Sequence, residues 1–166
     1  NLASHYRKLG NLERVVTLQR DLALSNPEEG WALYDLARLF AEVQQPDSCL
    51  QYLDRGIDEG FYDYHLLTAE ARDDSNPFHL FSRYVSAAND LARYNGALPP
   101  EVSDEYHDLI LEDATRIAKI YAEIQNRMLI QQRNTRDQRH QDALAGRLDI
   151  AAPEWSFETT SGEMLN

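Results

Sequence analysis

The sequence predicts an all-α protein: a short α-solenoid of antiparallel helix pairs, followed by a longer capping helix and an irregular tail. Apolar residues recur every three or four positions along most of the chain, which is typical of amphipathic helices. Glycine, asparagine and proline interrupt this pattern at short intervals. The layout of segment 1–27 also returns after 34 residues, a period typical of stacked helical arrays. Leu2, Ala3, Tyr6 and Leu22 recur as Leu36, Ala37, Phe40 and Gly56.

Turn and capping residues set the bounds of the predicted helices. Gly10 closes the first helix. Asn26 and Pro27 are expected to open the third, because asparagine is a good N-cap and proline suits the first helical turn. Pro46 opens the next helix and Gly60 ends it. We therefore expect helices over residues 2–9, 12–24, 28–43, 46–58, 62–72 and 77–94.

Each of these helices should bury the side that carries its apolar residues, because an amphipathic helix packs that side against the core. The apolar residues along the helices are Leu12, Val15, Val16, Leu18 and Leu22; then Trp31, Leu33, Leu36, Leu39, Phe40 and Val43; and Phe78, Phe81, Val85, Ala88 and Ala92. For the helix 46–58 the face expected to be buried is Cys49, Leu50, Leu53 and Ile57.

A long helix is expected to begin at about Val102. Its apolar residues step by four, three, four, three and four positions, which forms a heptad-like seam. Such a seam packs on neighbouring helices or across the end of the array, or it joins two copies of the chain. The polar run 131–142 that follows is either a solvated extension of this helix or a flexible segment. The seam residues are Ile110, Ala114, Ile117, Tyr121, Ile124 and Met128.

The two units within residues 1–61 share a pattern of residue types. A small residue stands where paired helices would touch, and an aromatic residue follows three positions later. The positions are Ala3 and Ala37, Tyr6 and Phe40, then Val15 and Cys49, Leu22 and Gly56, and the closing Pro27. This pattern resembles that of tetratricopeptide repeats. Val15 and Leu22 are larger than the family pattern prefers, and Phe61 replaces the second closing proline.

The resemblance implies a superhelix whose concave face binds a peptide or protein. By the family pattern, the first helix of each unit lines that face. Aromatic anchors and arginine donors are side chains that a peptide groove needs. The resemblance therefore implies partner binding by Arg7, Lys8, Trp31, Tyr34 and Arg38.

The chain is expected to contain three parts. Residues 1–96 form the repeats, of which the first is truncated and the third degenerate. Residues 97–148 form the long helical segment that packs on or caps the array. Residues 149–166 form an acidic, irregular tail, in which Trp155 and Phe157 could dock onto a groove.

Composition excludes several classes of partner and site. The formal net charge is −12, so binding to nucleic acid or to an anionic membrane surface is not expected. No apolar run is long enough to span a membrane. A single cysteine, Cys49, permits no intramolecular disulfide, and we expect neither a cofactor nor a metal. Without a visible signal peptide we expect a soluble protein and favour the cytoplasm; because Asn1 lies inside a repeat, we expect the native N-terminus upstream.

Two alternatives to a binding module stay open. The repeats could be accessory to an enzyme whose catalytic part lies in residues 100–166 or beyond this chain, since the run 131–142 is dense in charge and amide groups. No catalytic motif is visible, and we expect no enzyme. Two Asp-x-x-His pairs, at 104/107 and 137/140, have the spacing of metal ligands in helical bundles, but we expect no metal there. The second alternative is self-association through Ile110, Ile117, Tyr121 and Ile124.

Overall fold

The computed structural model describes residues 10–26, 29–61, 63–64 and 77–146, and every regular element in these ranges is an α-helix. The prediction of an all-α protein is confirmed for this part of the chain. No helix among the described residues has the length and apolar character needed to cross a bilayer. The helices are α1 (Leu12–Ser25), α2 (Gly30–Glu42), α3 (Pro46–Asp58), α4 (His79–Arg93), α5 (Pro100–Glu105) and α6 (Leu111–Leu144).

Contacts divide the chain into two compact units, Asn1–Arg133 and Asn134–Asn166. The first unit contains α1 to α5, most of α6 and all of the buried core. In the second unit the structure describes only the last turns of α6 and the two residues after them.

Three helices of the first unit end in the same way, at a residue with positive φ. Gln44 follows α2 (φ 56°), Gly60 follows α3 (φ 90°) and Asn95 follows α4 (φ 53°). After α2, the amide of Gln45 donates to the carbonyl of Phe40 over 2.8 Å. This left-handed ending satisfies carbonyls that the helix itself leaves unpaired and turns the chain sharply. It therefore lets α3 begin at Pro46, only four residues after α2 ends.

The pair α2 and α3 packs most closely where two glycines meet. The backbone of Gly30, at the start of α2, lies against Gly56 near the end of α3. A Cβ added to Gly30 would lie 2.7 Å from the amide nitrogen of Phe61 and 2.9 Å from the carbonyl oxygen of Glu59. Only glycine fits such a close approach of two backbones.

The helix α6 lies against both α3 and α4. Arg116 of α6 pairs with Asp47 of α3, and Arg127 pairs with Asp54 and Asp58 further along the same two helices. The later arginine of α6 pairs with the later aspartates of α3. The two helices therefore run parallel. On its other side, Tyr121 stacks on Phe81 of α4, with ring centroids 4.5 Å apart.

The core formed by these helices contains the apolar face predicted for α3 and most of that predicted for α2. The side chains of α3 that were expected inside are all buried, Cys49 included. The buried residues of α6 follow the predicted seam: Ala114, Ile117, Tyr121, Ile124 and Met128.

Several local predictions are wrong. Asn26 does not cap α2: its backbone N–H donates to Leu22 and ends α1, while α2 begins at Gly30 with Glu29 as its N-cap residue. In α1 the buried residue near the C-terminus is Ala23, and Leu22 is exposed. Near its C-terminus, the inward face of α1 is thus shifted by one residue from the predicted position.

In α4 the buried positions are also displaced. Tyr84 and Ala87 are buried, whereas Val85 is only partly covered and Ala92 is exposed. The expected helix from Val102 is interrupted, since α5 ends at Glu105 and α6 begins at Leu111. The predicted helices 2–9 and 62–72 lie outside the described residues, apart from Asp63 and Tyr64, and so does the tail 149–166.

Candidate functional site

The face of α2 that the sequence predicts to bind a partner is only partly accessible. The indole of Trp31 is exposed over 57% of its surface. Tyr34, one turn further on, is buried with 2% of its surface exposed, and Arg38 is half-buried. The other two predicted binding residues, Arg7 and Lys8, lie outside the described residues. Among the described candidates, Trp31 therefore offers the largest contact surface.

The rings of Tyr34 and Phe61 pack against the indole of Trp31. Its ring stands edge-on to Phe61, with centroids 4.9 Å apart and an interplanar angle of 84°. It also stands edge-on to Tyr34 at 6.0 Å and 83°. Tyr34 and Phe61 stack on each other at 4.3 Å. Edge-to-face and offset-stacked pairs are the favoured aromatic geometries, so the cluster fixes the indole while leaving much of it in solvent.

Tyr34, one of the residues predicted to contact a partner, is buried in this structure. Its ring lies between those of Phe61 and Phe78 and contacts Trp31. The centroids of the Tyr34 and Phe78 rings are 5.7 Å apart. Tyr34 and Trp31 share one side of α2, but Phe61 crosses that side near Tyr34 and covers it. The role that the structure gives to Tyr34 is to support the indole.

Arg38 lies two turns after Trp31 on the same helix. Its Nε is buried and has no hydrogen-bond acceptor among the described residues. Because Nε is buried, at most the terminal nitrogens of the guanidinium can reach a partner. Arg38 is thus a weaker candidate for contact than Trp31.

Two residues that matter for this surface were not predicted from the sequence. The sequence marks Phe61 only as a departure from the repeat, at a position where the family pattern has proline. In the structure its ring makes the shorter of the two edge-on contacts with Trp31. Gly30 has no side chain, which allows the backbone of Phe61 to approach α2 closely. A glycine in the first turn of a predicted helix is a signal of such an approach, because glycine destabilises helices relative to alanine.

Several acidic residues lie near Trp31 in the sequence of α2 and at the end of α3. Glu29 precedes it by two residues, and Asp35 follows one turn later on α2; both are exposed. Asp58 and Glu59, at the end of α3, are exposed beside the crossing at Gly30. The segments 29–37 and 56–61 contain these four carboxylates and no lysine or arginine. Arg38 and Arg55 directly flank these two segments, and Asp58 pairs with Arg127, so the region carries charges of both signs.

Three cavities among the described residues lie away from Trp31. One of about 680 Å³, between α4 and α6, is lined by Leu91, Leu98 and Leu111 with small residues around them. Another of about 420 Å³ lies between α3 and α6, beside Arg127 and Asp54. Neither cavity includes any of the residues predicted to bind a partner.

The third cavity, of about 380 Å³, lies beside the ion pair of Arg83 and Asp108. Arg83 donates to both oxygens of Asp108, over 2.9 and 2.7 Å, and also to the carbonyl of Glu105 over 3.0 Å. The guanidinium holds the pKa of the Asp108 carboxyl well below its usual range. Because both groups satisfy each other, the pair serves to hold the segment after α5 against α4.

The polar run 131–142 continues α6 as a helix with mostly exposed side chains. Within it, Arg136 lies 3.6 Å from Asp137, and Gln138 donates to Asp142 over 3.0 Å. His107 approaches the backbone carbonyl of Asp104, not its carboxylate. No group of three or more metal-ligating side chains occurs among the described residues. The enzyme alternative gains no support from this part of the chain.

The proposed self-association seam is occupied within the chain. Ile117, Tyr121 and Ile124 are buried in the core of the first unit. Only Ile110, which lies before α6 and is 55% exposed, could meet a second copy. These three residues therefore pack α6 on its neighbouring helices. Such packing is the other arrangement that the sequence analysis allowed for the seam.

No family model matches this chain, and neither the curated proteins nor the solved structures contain a match to it. The tetratricopeptide resemblance thus rests on the 34-residue register and its pattern of residue types, and it stays a prediction.

Proposed function

We propose that this chain is a protein-binding module that holds a peptide segment of a partner against the face of α2 centred on Trp31. The observation that supports this most is that Trp31 is 57% exposed and yet packs edge-on against two buried rings, those of Tyr34 and Phe61. Exposed, pre-ordered aromatic side chains lose little freedom on binding, and tryptophan is among the residues that contribute most to protein interfaces.

The antiparallel pair α2 and α3 is consistent with a repeat of a short solenoid. In that arrangement α2 is the first helix of its unit, and its exposed side belongs to the concave face of the array. By the same resemblance, Arg7 and Lys8 belong to the equivalent helix of the preceding unit. The proposal differs from the sequence-based one in its contact residues: Trp31 makes the contact, Tyr34 supports it and Arg38 lies at its edge.

A selection of random 12-residue peptides displayed on phage tests this function. The selection uses the chain with Trp155→Phe, so that Trp31 is the only tryptophan left. Selected peptides are then titrated while the fluorescence of Trp31 is recorded. We expect a shift of its emission on binding, and at least about tenfold weaker binding to Trp31→Ala, as for a typical interface anchor.

Leu24→Ala is the matched control, because Leu24 is another large apolar residue with 53% exposure on a neighbouring helix. It should leave the affinity unchanged. Thermal unfolding of both variants should match that of the parent chain within a few degrees, since neither side chain is buried. Peptides that bind the Trp31→Ala chain as tightly as the parent would overturn the proposal.

A further inference from the structure

We propose that Asn95, in the turn that ends α4, is a site of spontaneous deamidation, and that the hydrogen-bonded end of α4 controls its rate. This covalent modification is independent of the partner surface at Trp31. Asn95 and Gly96 form the single Asn-Gly pair of the sequence. Both residues are exposed to solvent, so water can reach the turn and ammonia can leave it.

The reaction needs no component other than water. The backbone nitrogen of Gly96 loses its proton and attacks Cγ of the Asn95 side chain. The new N–C bond closes a five-membered imide ring, and the side-chain amide group leaves as ammonia. Water then opens the ring at Cγ, which gives aspartate, or at the main-chain carbonyl carbon, which gives isoaspartate. Either route consumes one water and releases one ammonia, with no change of oxidation state.

Glycine at position 96 removes the steric barrier to this attack. A side chain on the residue after asparagine would crowd the attacking nitrogen, and glycine has none. A Cβ built on Gly96 meets nothing within 4 Å among the described residues, so the turn is open around the nitrogen. The local sequence and the exposure of the turn therefore both favour the reaction.

In the folded chain, the end of α4 keeps the nucleophile in its unreactive form. Asn95 (φ 53°) and Gly96 (φ 82°) make the left-handed ending of this helix. The N–H of Gly96 donates to the carbonyl of Leu91 over 2.7 Å, and this hydrogen bond opposes the loss of the proton that the attack requires. The reaction therefore proceeds from conformations in which the last turn of α4 has opened. Helix ends open more readily than the centre of a core.

A tertiary contact holds the same turn of α4. The hydroxyl of Tyr106 donates to the carboxylate of Asp90 over 2.7 Å. The carbonyl of Asp90 in turn accepts from the amide of Tyr94 over 2.9 Å, next to the bond between Leu91 and Gly96. Because Tyr106 fixes the residue that begins this set of bonds, its loss should make opening of the turn more frequent.

Either product prevents the turn from closing as before. Isoaspartate lengthens the backbone before Gly96 by one methylene group, which displaces the Gly96 amide from the Leu91 carbonyl. Aspartate adds a negative charge at the C-terminal end of α4, where the helix dipole disfavours anions. Gly96 and Leu91 also line the cavity of about 680 Å³ between α4 and α6, so the modification alters one wall of that cavity.

Peptide mapping by mass spectrometry after incubation at 37 °C and pH 8 tests the proposal. The samples are the folded chain, the chain in strong urea, and the peptide ARYNGAL, which is segment 92–98, in the same urea. We expect Asn95 to gain one mass unit in the unfolded chain at the rate of the peptide, and at least about tenfold more slowly in the folded chain. Asn89, which Asp90 follows, is the internal control and should react far more slowly than Asn95 in urea.

Two variants test whether the end of α4 controls the rate. Tyr106→Phe and Asp90→Ala each remove the contact at this turn, and each should speed the modification of the folded chain severalfold without changing the rate in urea. The matched control is Tyr52→Phe, which removes a hydroxyl from a tyrosine of α3 that stacks on Phe40. It should leave the rate unchanged. Circular dichroism checks that each variant is folded.

Each part of the proposal can fail separately. No mass gain at Asn95 in the unfolded chain, over the period in which the peptide converts, would overturn the site. A folded chain that reacts as fast as the peptide would overturn the control by the helix end. A protected folded chain whose rate does not change in Tyr106→Phe or Asp90→Ala would assign the protection to the whole fold and overturn the local opening. The isoaspartate form, separated by chromatography, should unfold at lower urea than the unmodified chain.

Discussion

The backbone of Gly30 faces the carbonyl oxygen of Gly56 so closely that a Cβ on Gly30 would lie 2.8 Å from it. The two glycines mark the crossing of α2 and α3, and the same crossing brings Phe61 beneath Trp31. The packing of the helix pair and the position of the candidate binding surface therefore depend on one contact.

Gly30→Ala should destabilise the fold and disturb the surface together. The added methyl group would meet three backbone atoms at less than 3.0 Å, and backbone atoms cannot move aside as the end of a side chain can. We expect a loss of about 1–3 kcal/mol in the free energy of unfolding, as for other overpacked positions. Urea unfolding followed by circular dichroism measures the loss, and a shift in Trp31 emission reports the disturbance.

Gly56→Ala is the control for this prediction. Its added Cβ would meet the carbonyl oxygen of Gly30 at 3.3 Å and other neighbours only at ordinary contact distance. Alanine also favours the helix over glycine by roughly 0.5–1 kcal/mol, which offsets part of the crowding. A cost for Gly56→Ala equal to or larger than that for Gly30→Ala would contradict the described crossing.

The ion pairs between α3 and α6 should contribute modestly and in a salt-dependent way. Arg116 donates to Asp47 over 2.7 Å, and Arg127 contacts Asp54 and Asp58, but both arginines are about half exposed. Arg116→Gln and Arg127→Gln should each lower the free energy of unfolding by less than about 1 kcal/mol at low salt, and by less in 500 mM salt. Lys119→Gln is the control, because Lys119 reaches only Glu123, at 4.0 Å on its own helix.

Arg116 should also affect acid stability through Asp47. Its hydrogen bond lowers the pKa of the Asp47 carboxyl in the folded chain. A carboxyl with a lowered pKa contributes stability that is present above its unfolded value, about 4, and is lost as the pH falls below it. The gap in stability between the parent and Arg116→Gln should therefore narrow from pH 5 to pH 3. A gap that stays constant would argue against the Asp47 contact.

Tyr106 should make the fold sensitive to alkaline pH. Its hydroxyl donates to Asp90 over 2.7 Å, and this bond, with burial, raises the pKa of Tyr106 to about 12. An unfolded tyrosine ionises near pH 10, so the folded chain holds its proton more tightly and loses stability as the pH rises from about 10 to about 12. Urea unfolding across this range should show a steeper loss for the parent than for Tyr106→Phe.

At neutral pH, Tyr106→Phe should cost about 1 kcal/mol for the lost hydrogen bond. The other tyrosines remain in this variant, so the difference between the two pH profiles isolates Tyr106. Identical profiles would show that the hydroxyl of Tyr106 is not held by Asp90 in solution.

Cys49 should react only when the core opens. It is fully buried on α3, and burial raises the pKa of its thiol well above the usual value. Since the thiolate is the reactive form, labelling with a thiol reagent at pH 8 should be slow in the folded chain and immediate in strong urea. The ratio of the two rates reports the free energy of opening around α3. Rapid labelling without urea would mean that α6 does not cover this face.

The sequence predicts best those elements whose ends carry local signals. The bounds and the buried face of α3 agree with the prediction, because Pro46 and Gly60 mark its ends and a single apolar stripe runs between them. For α1, the choice between Leu22 and Ala23 depends on how closely α2 approaches, which no local pattern reveals.

The interruption before α6 shows why longer-range features were missed. Residues 106–110 are not helical. In this segment, Tyr106 donates a hydrogen bond to Asp90, and Arg83 forms an ion pair with Asp108. These partners are 16 and 25 positions apart, beyond the reach of helix periodicity. The candidate site also depends on a contact that helical periodicity does not predict. Helical spacing places Trp31 and Tyr34 on one side of α2, but the position of Phe61 determines which of the two rings is exposed.

The parallel contacts of α6 with α3 also impose an order on synthesis. Arg116 and Arg127 lie 69 to 73 positions after the aspartates that they meet. Leu50 borders the same interface as Ile120 and Ile124. At roughly 5–20 residues per second on a ribosome, α3 exists for several seconds before these residues of α6 can cover it. A nascent chain of this protein thus exposes an apolar helix face for that interval, during which a chaperone could bind it.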